Sequence, residues 1–77
     1  MAIPAIGSRW RSYKGTEWVY VGVSNRKRDD GIDFHTMRCV GKGARTRYEV
    51  GAEMVVDPVW FDRCGEEIQP GANPKRQ

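Results

Sequence analysis

Residues 17–23 read Glu17-Trp18-Val19-Tyr20-Val21-Gly22-Val23, in which aromatic and β-branched side chains alternate. Side chains two residues apart share one face of a strand, and both residue types are enriched in strands. We expect the three valines to line the core, which leaves Trp18 and Tyr20 on the opposite face. The stretch therefore predicts a strand that is apolar on both faces, with an aromatic face that something else must cover.

The rest of the chain predicts further short strands separated by glycine-containing turns, the first turn being Lys14-Gly15-Thr16. Polar composition around Asp30-Gly31 predicts a long mobile hairpin loop over residues 25–33. Asp57-Pro58 is a helix-start signal and Gly65 a helix-end signal, so we expect about one helical turn between them. The other predicted strands are 8–13, with Trp10 facing inward, 34–40, 44–50 and 54–56.

The 77 residues suffice for one domain with one small core. Short antiparallel strands at this spacing predict an all-β fold, a small SH3-like antiparallel barrel of four to five strands with a short helical turn near the C-terminus. We predict a single domain over residues 1–65. Because residues 66–77 contain almost no apolar side chains, we predict that they form a flexible C-terminal tail.

Composition narrows the functional classes. A hydrophobic content of 39% with 30% charged residues is typical of a soluble globular domain. No apolar run approaches the roughly 18–20 residues that span a bilayer, and the N-terminus lacks a basic leader, so we expect a cytoplasmic protein with no membrane partner. The formal net charge of +3 permits nucleic-acid binding without requiring it. Cys39 and Cys64 are expected to be reduced.

Side chains suited to catalysis or metal binding are sparse. The single histidine, His35, has no evident orienting acid, and with Cys39 and Cys64 it does not form a zinc-type spacing. Gly41-Lys42-Gly43 lacks the following helix that a phosphate-binding loop needs. We therefore predict no enzymatic activity, no cofactor and no metal site.

Basic and aromatic side chains are the candidates for binding. Adjacent antiparallel hairpins place the turns at Lys14 and Lys42 at the same end of the sheet. With Arg45, and with Trp18 and Tyr20 exposed, these cations would form one contact surface. The wider aromatic set also includes Trp10, Tyr13 and Trp60. The alternative for this set is a core role, in which Trp10 and Trp60 are buried and Trp18 packs beneath the tail or the N-terminal segment. A second basic loop, expected at the opposite end of the sheet, consists of Arg26, Lys27 and Arg28.

Four short motifs lie between residues 7 and 61: Gly7-Ser8-Arg9-Trp10, Tyr13-Lys14-Gly15, Val19-Tyr20-Val21-Gly22-Val23 and Trp60-Phe61. Together they resemble small SH3-like barrel proteins of bacteria and their phages. The resemblance implies a barrel fold and a bacterial or phage origin. It implies no catalytic residues, because many such proteins have no assigned activity.

These features favour a small non-enzymatic binding module. The first hypothesis is a phage or bacterial accessory protein that binds and modulates a host protein. One alternative is a nucleic-acid-binding SH3-like barrel that uses basic loops and exposed aromatic rings. Another is a structural component of a larger assembly, a role compatible with self-association through the Trp18/Tyr20 face.

Overall fold

The computed structural model describes residues 4–43 and 47–70, which form one five-stranded antiparallel sheet and one short helix. The elements are β1 (Arg9–Ser12), β2 (Glu17–Lys27), β3 (Asp33–Gly41), β4 (Glu53–Val56), α1 (Val59–Arg63) and β5 (Gly65–Gln69). The strand order across the sheet is β4-β3-β2-β1-β5. The prediction of an all-β fold with a short helical turn near the C-terminus is confirmed.

The β1–β2 connection is a tight three-residue turn over Tyr13, Lys14 and Gly15. The Gly15 amide donates to the Ser12 carbonyl at 2.8 Å, and the Ser12 amide donates to the Thr16 carbonyl at 2.9 Å. Gly15 has a φ of 89°, which glycine adopts at little cost. This combination is one of the common hairpin connections. The predicted hairpin is confirmed, but its turn begins one residue earlier, at Tyr13, which the sequence placed in the first strand.

The β2–β3 connection has the same design, and the prediction of a long mobile loop over residues 25–33 is wrong. The Gly31 amide donates to the Arg28 carbonyl at 2.9 Å, and the Arg28 amide donates to the Ile32 carbonyl at 2.8 Å. Gly31 has a φ of 87°. The Asp30 carboxylate also accepts the Ile32 amide at 3.2 Å. Asp30-Gly31 thus closes a short hairpin turn, and both strands extend through polar residues.

The core face of β2 is the aromatic face, so the predicted orientation of this strand is wrong. Trp18 and Tyr20 are 1% and 2% exposed, whereas Val23 is 53% exposed. Trp10 faces inward as predicted. The remaining buried apolar residues of the core are Met37, Cys39, Val56 and Phe61.

Two features of the pairing explain this orientation. Val19 lies on the outer face between Arg9 and Arg38, whose aliphatic stems can cover a valine. The β2–β3 register then shifts between Tyr20 and Gly22, so Val21 lies in a bulge. A strict two-residue alternation therefore does not continue from one end of β2 to the other.

Helix α1 begins at the predicted signal and covers the core face of the sheet. The Asp57 carboxylate accepts the Val59 amide at 3.0 Å, as a helix-capping side chain does. Phe61 packs edge-on against Trp10, with ring centroids 4.9 Å apart, and against Tyr20 at 5.9 Å. The helix is short, and this aromatic packing, rather than its own hydrogen bonds, stabilises it.

The predicted tail begins too early. Gly65–Gln69 is β5, which pairs with β1, so the prediction is wrong for residues 66–69. Backbone hydrogen bonds to β1 hold this segment in place, although it has few apolar side chains to bury. Gly65 also does not adopt the positive φ of a helix-ending glycine. A Cβ at Gly65 would lie 2.4 Å from the Trp60 ring, so glycine is needed for close packing there. Residues 71–77 lie outside the described residues.

The connection between β3 and β4 differs from the predicted strand 44–50. Residues 47–50 are not in a strand, and residues 44–46 lie outside the described residues. The Ala52 amide donates to the Glu49 carbonyl at 2.9 Å in a turn with Gly51 at a φ of 97°. The Cys39 amide then donates to the Ala52 carbonyl at 2.8 Å, which returns the chain to β3. The predicted strand over 54–56 is confirmed as part of β4.

Two substitutions on β2 test the orientation of this strand. We expect Trp18→Ala to lower the free energy of unfolding by about 3–5 kcal/mol, because it removes a buried ring from the core. The matched substitution Val23→Ala, at an exposed position, should change it by less than about 0.5 kcal/mol. Urea denaturation gives both values. Equal losses in the two variants would contradict the observed orientation.

Candidate binding surface

Two connections meet at one end of the sheet, which we call the turn end. They are the β1–β2 turn and the chain that leaves β3 at residue 42. A Cβ on Gly43 would lie 2.4 Å from the Lys14 carbonyl oxygen and 2.7 Å from the Thr16 amide nitrogen. The two backbones are therefore in direct contact, and the lack of a side chain at Gly43 permits it. The turns at Lys14 and Lys42 lie at the same end, as the antiparallel pattern predicts.

Exposed apolar and cationic side chains occur together at the turn end. Tyr13 is 85% exposed, and the Lys14 Nζ atom lies 5.8 Å from the centroid of its ring. Val50 is 62% exposed, close to the point where Gly51 rejoins β3. We define the turn-end surface as Tyr13, Lys14, Lys42 and Val50.

Lys42 is held by an acidic side chain of its own connection. Its Nζ atom lies 3.3 Å from each carboxylate oxygen of Glu49, and both side chains are exposed. An exposed ion pair of this kind contributes at most about 1 kcal/mol. A carboxylate on a binding partner could therefore replace Glu49 at little cost.

Trp18 and Tyr20 are not part of this surface, and the prediction that they form an exposed contact face is wrong. Both are core residues. Tyr48 covers Trp18 from the β3–β4 connection, edge-on, with ring centroids 4.9 Å apart. The indole nitrogen of Trp18 is buried and has no hydrogen-bond partner among the described residues. Arg45, the remaining predicted contact residue, lies outside the described residues.

Tyr20 and His35 form a buried polar pair. The Tyr20 hydroxyl and the His35 Nδ1 atom share a hydrogen bond of 2.9 Å, and each side chain is 2% exposed. Phe61 packs edge-on against both rings. Burial raises the pKa of the Tyr20 hydroxyl, because the phenolate would lose its hydration. The pair satisfies two polar groups within the aromatic core.

The second basic loop lies at the opposite end of the sheet, which we call the hairpin end, and carboxylates neutralise much of it. Lys27 forms an ion pair with Asp33. Arg28 lies 2.6 Å from Asp30 and 3.4 Å from Asp57. The Arg28 guanidinium hydrogen-bonds to Asp30 and lowers the pKa of that carboxyl.

Arg26 differs from its neighbours in the second basic loop. Its side chain is exposed and has no ion pair within the described part of the chain. The three cations therefore do not act as one uniform basic patch.

Comparison with known proteins finds no matching family model, no matching curated protein and no matching solved structure. Within residues 4–43 and 47–70, no helix has the length and apolar content to cross a membrane. The same residues contain no cluster of three or more His, Cys, Asp or Glu side chains that could hold a metal ion.

The sequence indicates the position of this surface, but two of its residues, Tyr13 and Val50, are not among the predicted contact residues. Tyr13 belongs to the aromatic set, and its place directly before Lys14-Gly15 in a hairpin turn was the signal of its exposure. Val50 was assigned to a strand. The Val50-Gly51 pair, which suits a turn with a positive φ at its third residue, could have indicated an exposed position.

Two glycine substitutions test the contact between the connections. Gly43→Ala places a Cβ against the backbone of Lys14 and Thr16, so we expect a loss of about 1–3 kcal/mol in the free energy of unfolding. Amide chemical shifts of Tyr13–Thr16 should also move. The control Gly41→Ala meets only the Glu17 side chain at 3.4 Å and should be nearly neutral. Unchanged shifts at Tyr13–Thr16 in Gly43→Ala would show that the connections are apart.

The buried hydroxyl of Tyr20 predicts a pH dependence of stability. Because the folded pKa is raised, the unfolded chain loses this proton first, so stability is complete below the ordinary tyrosine pKa near 10 and falls as the pH rises further. The limiting slope is about 1.4 kcal/mol per pH unit for one proton. In urea denaturation from pH 8 upward, Tyr20→Phe should remove this component, whereas Tyr13→Phe, at an exposed position, should retain it. An unchanged slope in Tyr20→Phe would contradict the assignment.

Proposed function

We propose that this chain is a small non-enzymatic module that binds a protein partner through the turn-end surface. The main support is the contact of Gly43 with the β1–β2 turn, because it holds exposed Tyr13 and Lys14 at the same end as Lys42. Tyrosine is among the residues that contribute most to binding energy in protein interfaces. The hydrogen bonds around Ser12 and Gly15 hold the turn in shape, so little conformational entropy is lost on binding.

The charge distribution favours an acidic protein surface as the partner over nucleic acid. Half of the ten arginines and lysines of the described residues already pair with carboxylates. Those pairs involve Arg11, Lys27, Arg28, Arg38 and Lys42. Nucleic-acid binding depends on many cations free to neutralise phosphates. A local acidic patch, by contrast, needs only Lys14, Lys42 and an apolar contact for Tyr13.

The finer fold class that we propose is an SH3-like barrel. The order of elements supports it, because α1 lies between β4 and β5, and β5 returns to pair with β1. With the resemblance of the sequence motifs, this leads us to propose a phage or bacterial accessory protein that modulates a host protein. A cytoplasmic location is consistent with two free cysteines, one of them buried.

The alternative functions make different demands on the same surface. A nucleic-acid-binding barrel would use Tyr13 to stack on bases and would depend, in addition, on the summed positive charge of the chain. A structural component of a larger assembly would bind further copies or subunits stably. The experiments below include a separate outcome for the nucleic-acid alternative.

Affinity capture from a bacterial lysate tests the proposal when variants are compared side by side. We expect Tyr13→Ala combined with Lys14→Gln to lose most of the captured partner, because it removes the exposed ring and its neighbouring charge. Arg63→Gln, which removes an exposed cation from α1, is the matched control and should retain the partner. Thermal melting should show that all variants remain folded.

Mobility-shift assays with single- and double-stranded DNA and RNA complete the test. Binding that weakens steeply with salt and is equally sensitive to Lys14→Gln and Arg63→Gln would favour the nucleic-acid alternative. Equal capture by wild type and by the double variant at the turn end would contradict the proposed surface.

A further inference from the structure

β2 is much longer than the strand that pairs with it on one side. β1 pairs with Glu17–Val19, and the chain before β1 extends this contact to Tyr20, where the Gly7 amide donates to the Tyr20 carbonyl at 2.9 Å. β2 itself continues to Lys27. From residue 21 to residue 27, no described residue pairs with β2 on its β1 side. We call this segment the free edge of β2.

The free edge carries apolar side chains near its start. Val23 is 53% exposed, and Ile6, which is 65% exposed, approaches to 4.0 Å of the position that a Cβ on Gly22 would occupy. These two exposed side chains thus lie near the same part of β2. An extended segment placed along the edge would find apolar contacts there.

The charge on the free edge is positive. Residues 21–27 contain Arg26 and Lys27 and no carboxylate. Lys27 is paired with Asp33 across the hairpin, whereas the exposed Arg26 side chain has no ion pair within the described part of the chain. A strand with a carboxylate near Arg26 would complement this edge.

We propose that the free edge of β2 binds an extended acidic segment of a partner protein by strand addition. An exposed sheet edge is a template for pairing through backbone hydrogen bonds, and the side chains of the added strand give specificity. The Tyr20 amide and carbonyl both bond toward the β1 side. The Cys39 amide and carbonyl bond toward β4, so by strand alternation those of His35 do too. Its partner Val23 therefore turns its own amide and carbonyl away from β3, toward the free edge, and the added strand is centred there.

A partner strand fits the charges better than a second copy of this chain. If residues 21–27 of two copies paired with each other, neither strand would offer a carboxylate to Arg26. The free edge also lies toward the hairpin end, away from the turn-end surface. The two proposals therefore hold or fail separately.

The probe that tests this is a terminally blocked hexapeptide that alternates valine and glutamate. In amide-resolved NMR titrations of the full chain at millimolar peptide, we expect shifts confined to Ile6 and residues 21–27, with slower hydrogen exchange at Val23. The same peptide with alternate amides N-methylated lacks edge donors and should have no effect. A valine–lysine peptide should also fail to bind, because its charge is repelled by Arg26.

Arg26→Glu provides the charge-swap control, at an exposed position where thermal melting should be unchanged. We expect the preference to reverse, so that the valine–lysine peptide binds and the valine–glutamate peptide does not. Absence of shifts with any peptide, or shifts that survive N-methylation, would overturn strand addition. Protection of Val23 without peptide, in a dimer detected by sedimentation, would overturn the partner strand in favour of a second copy.

Discussion

The packing of Phe61 against the sheet holds helix α1 and the sheet together. Phe61 is the one buried residue of α1, and its ring lies edge-on to rings from three strands and from its own helix. The contacting rings are Trp10 on β1, Tyr20 on β2, His35 on β3 and Trp60 on α1. Edge-to-face aromatic pairs stabilise the folded protein beyond the free energy gained by burying the rings. In a domain with so small a core, loss of this contact would leave only the partly buried Trp60 to hold α1 on the sheet and would uncover part of the aromatic face of β2.

The sequence predicted the β1–β2 hairpin and the start of α1 correctly, because local chemistry determines them. Lys14-Gly15 and Asp57-Pro58 act through φ preferences and capping bonds that depend on few neighbours. The turn at Gly31 also depends on a local φ preference. The sequence nevertheless predicted a long loop there, because the residues around Gly31 are polar and lack the apolar alternation that indicates a strand. The turn that contains Gly31 reverses the chain within three residues, 29–31.

What the sequence could not predict depends on pairing between distant residues. The orientation of β2 follows from competition between two apolar faces, and the face with the larger rings is the one covered by α1. β5 is held in the sheet by backbone hydrogen bonds to β1. Such bonds require no particular side chains, so the sequence of β5 shows no strand pattern. For the candidate surface, hairpin geometry was enough to bring Lys14 and Lys42 to one end, whereas the burial of Trp18 and Tyr20 depended on the distant residues of α1 and β3 that cover them.

The pairing of β1 with β5 has a consequence for how the protein folds during synthesis. Arg9, near the start of the described chain, pairs with Gln69, near its end. Contacts between residues so far apart in sequence form slowly, because a large loop must close before any favourable energy is gained. On the ribosome, β1 leaves the exit tunnel long before β5 does. During that interval one flank of β1 lacks its final neighbour, and the sheet is completed only when the last strand emerges.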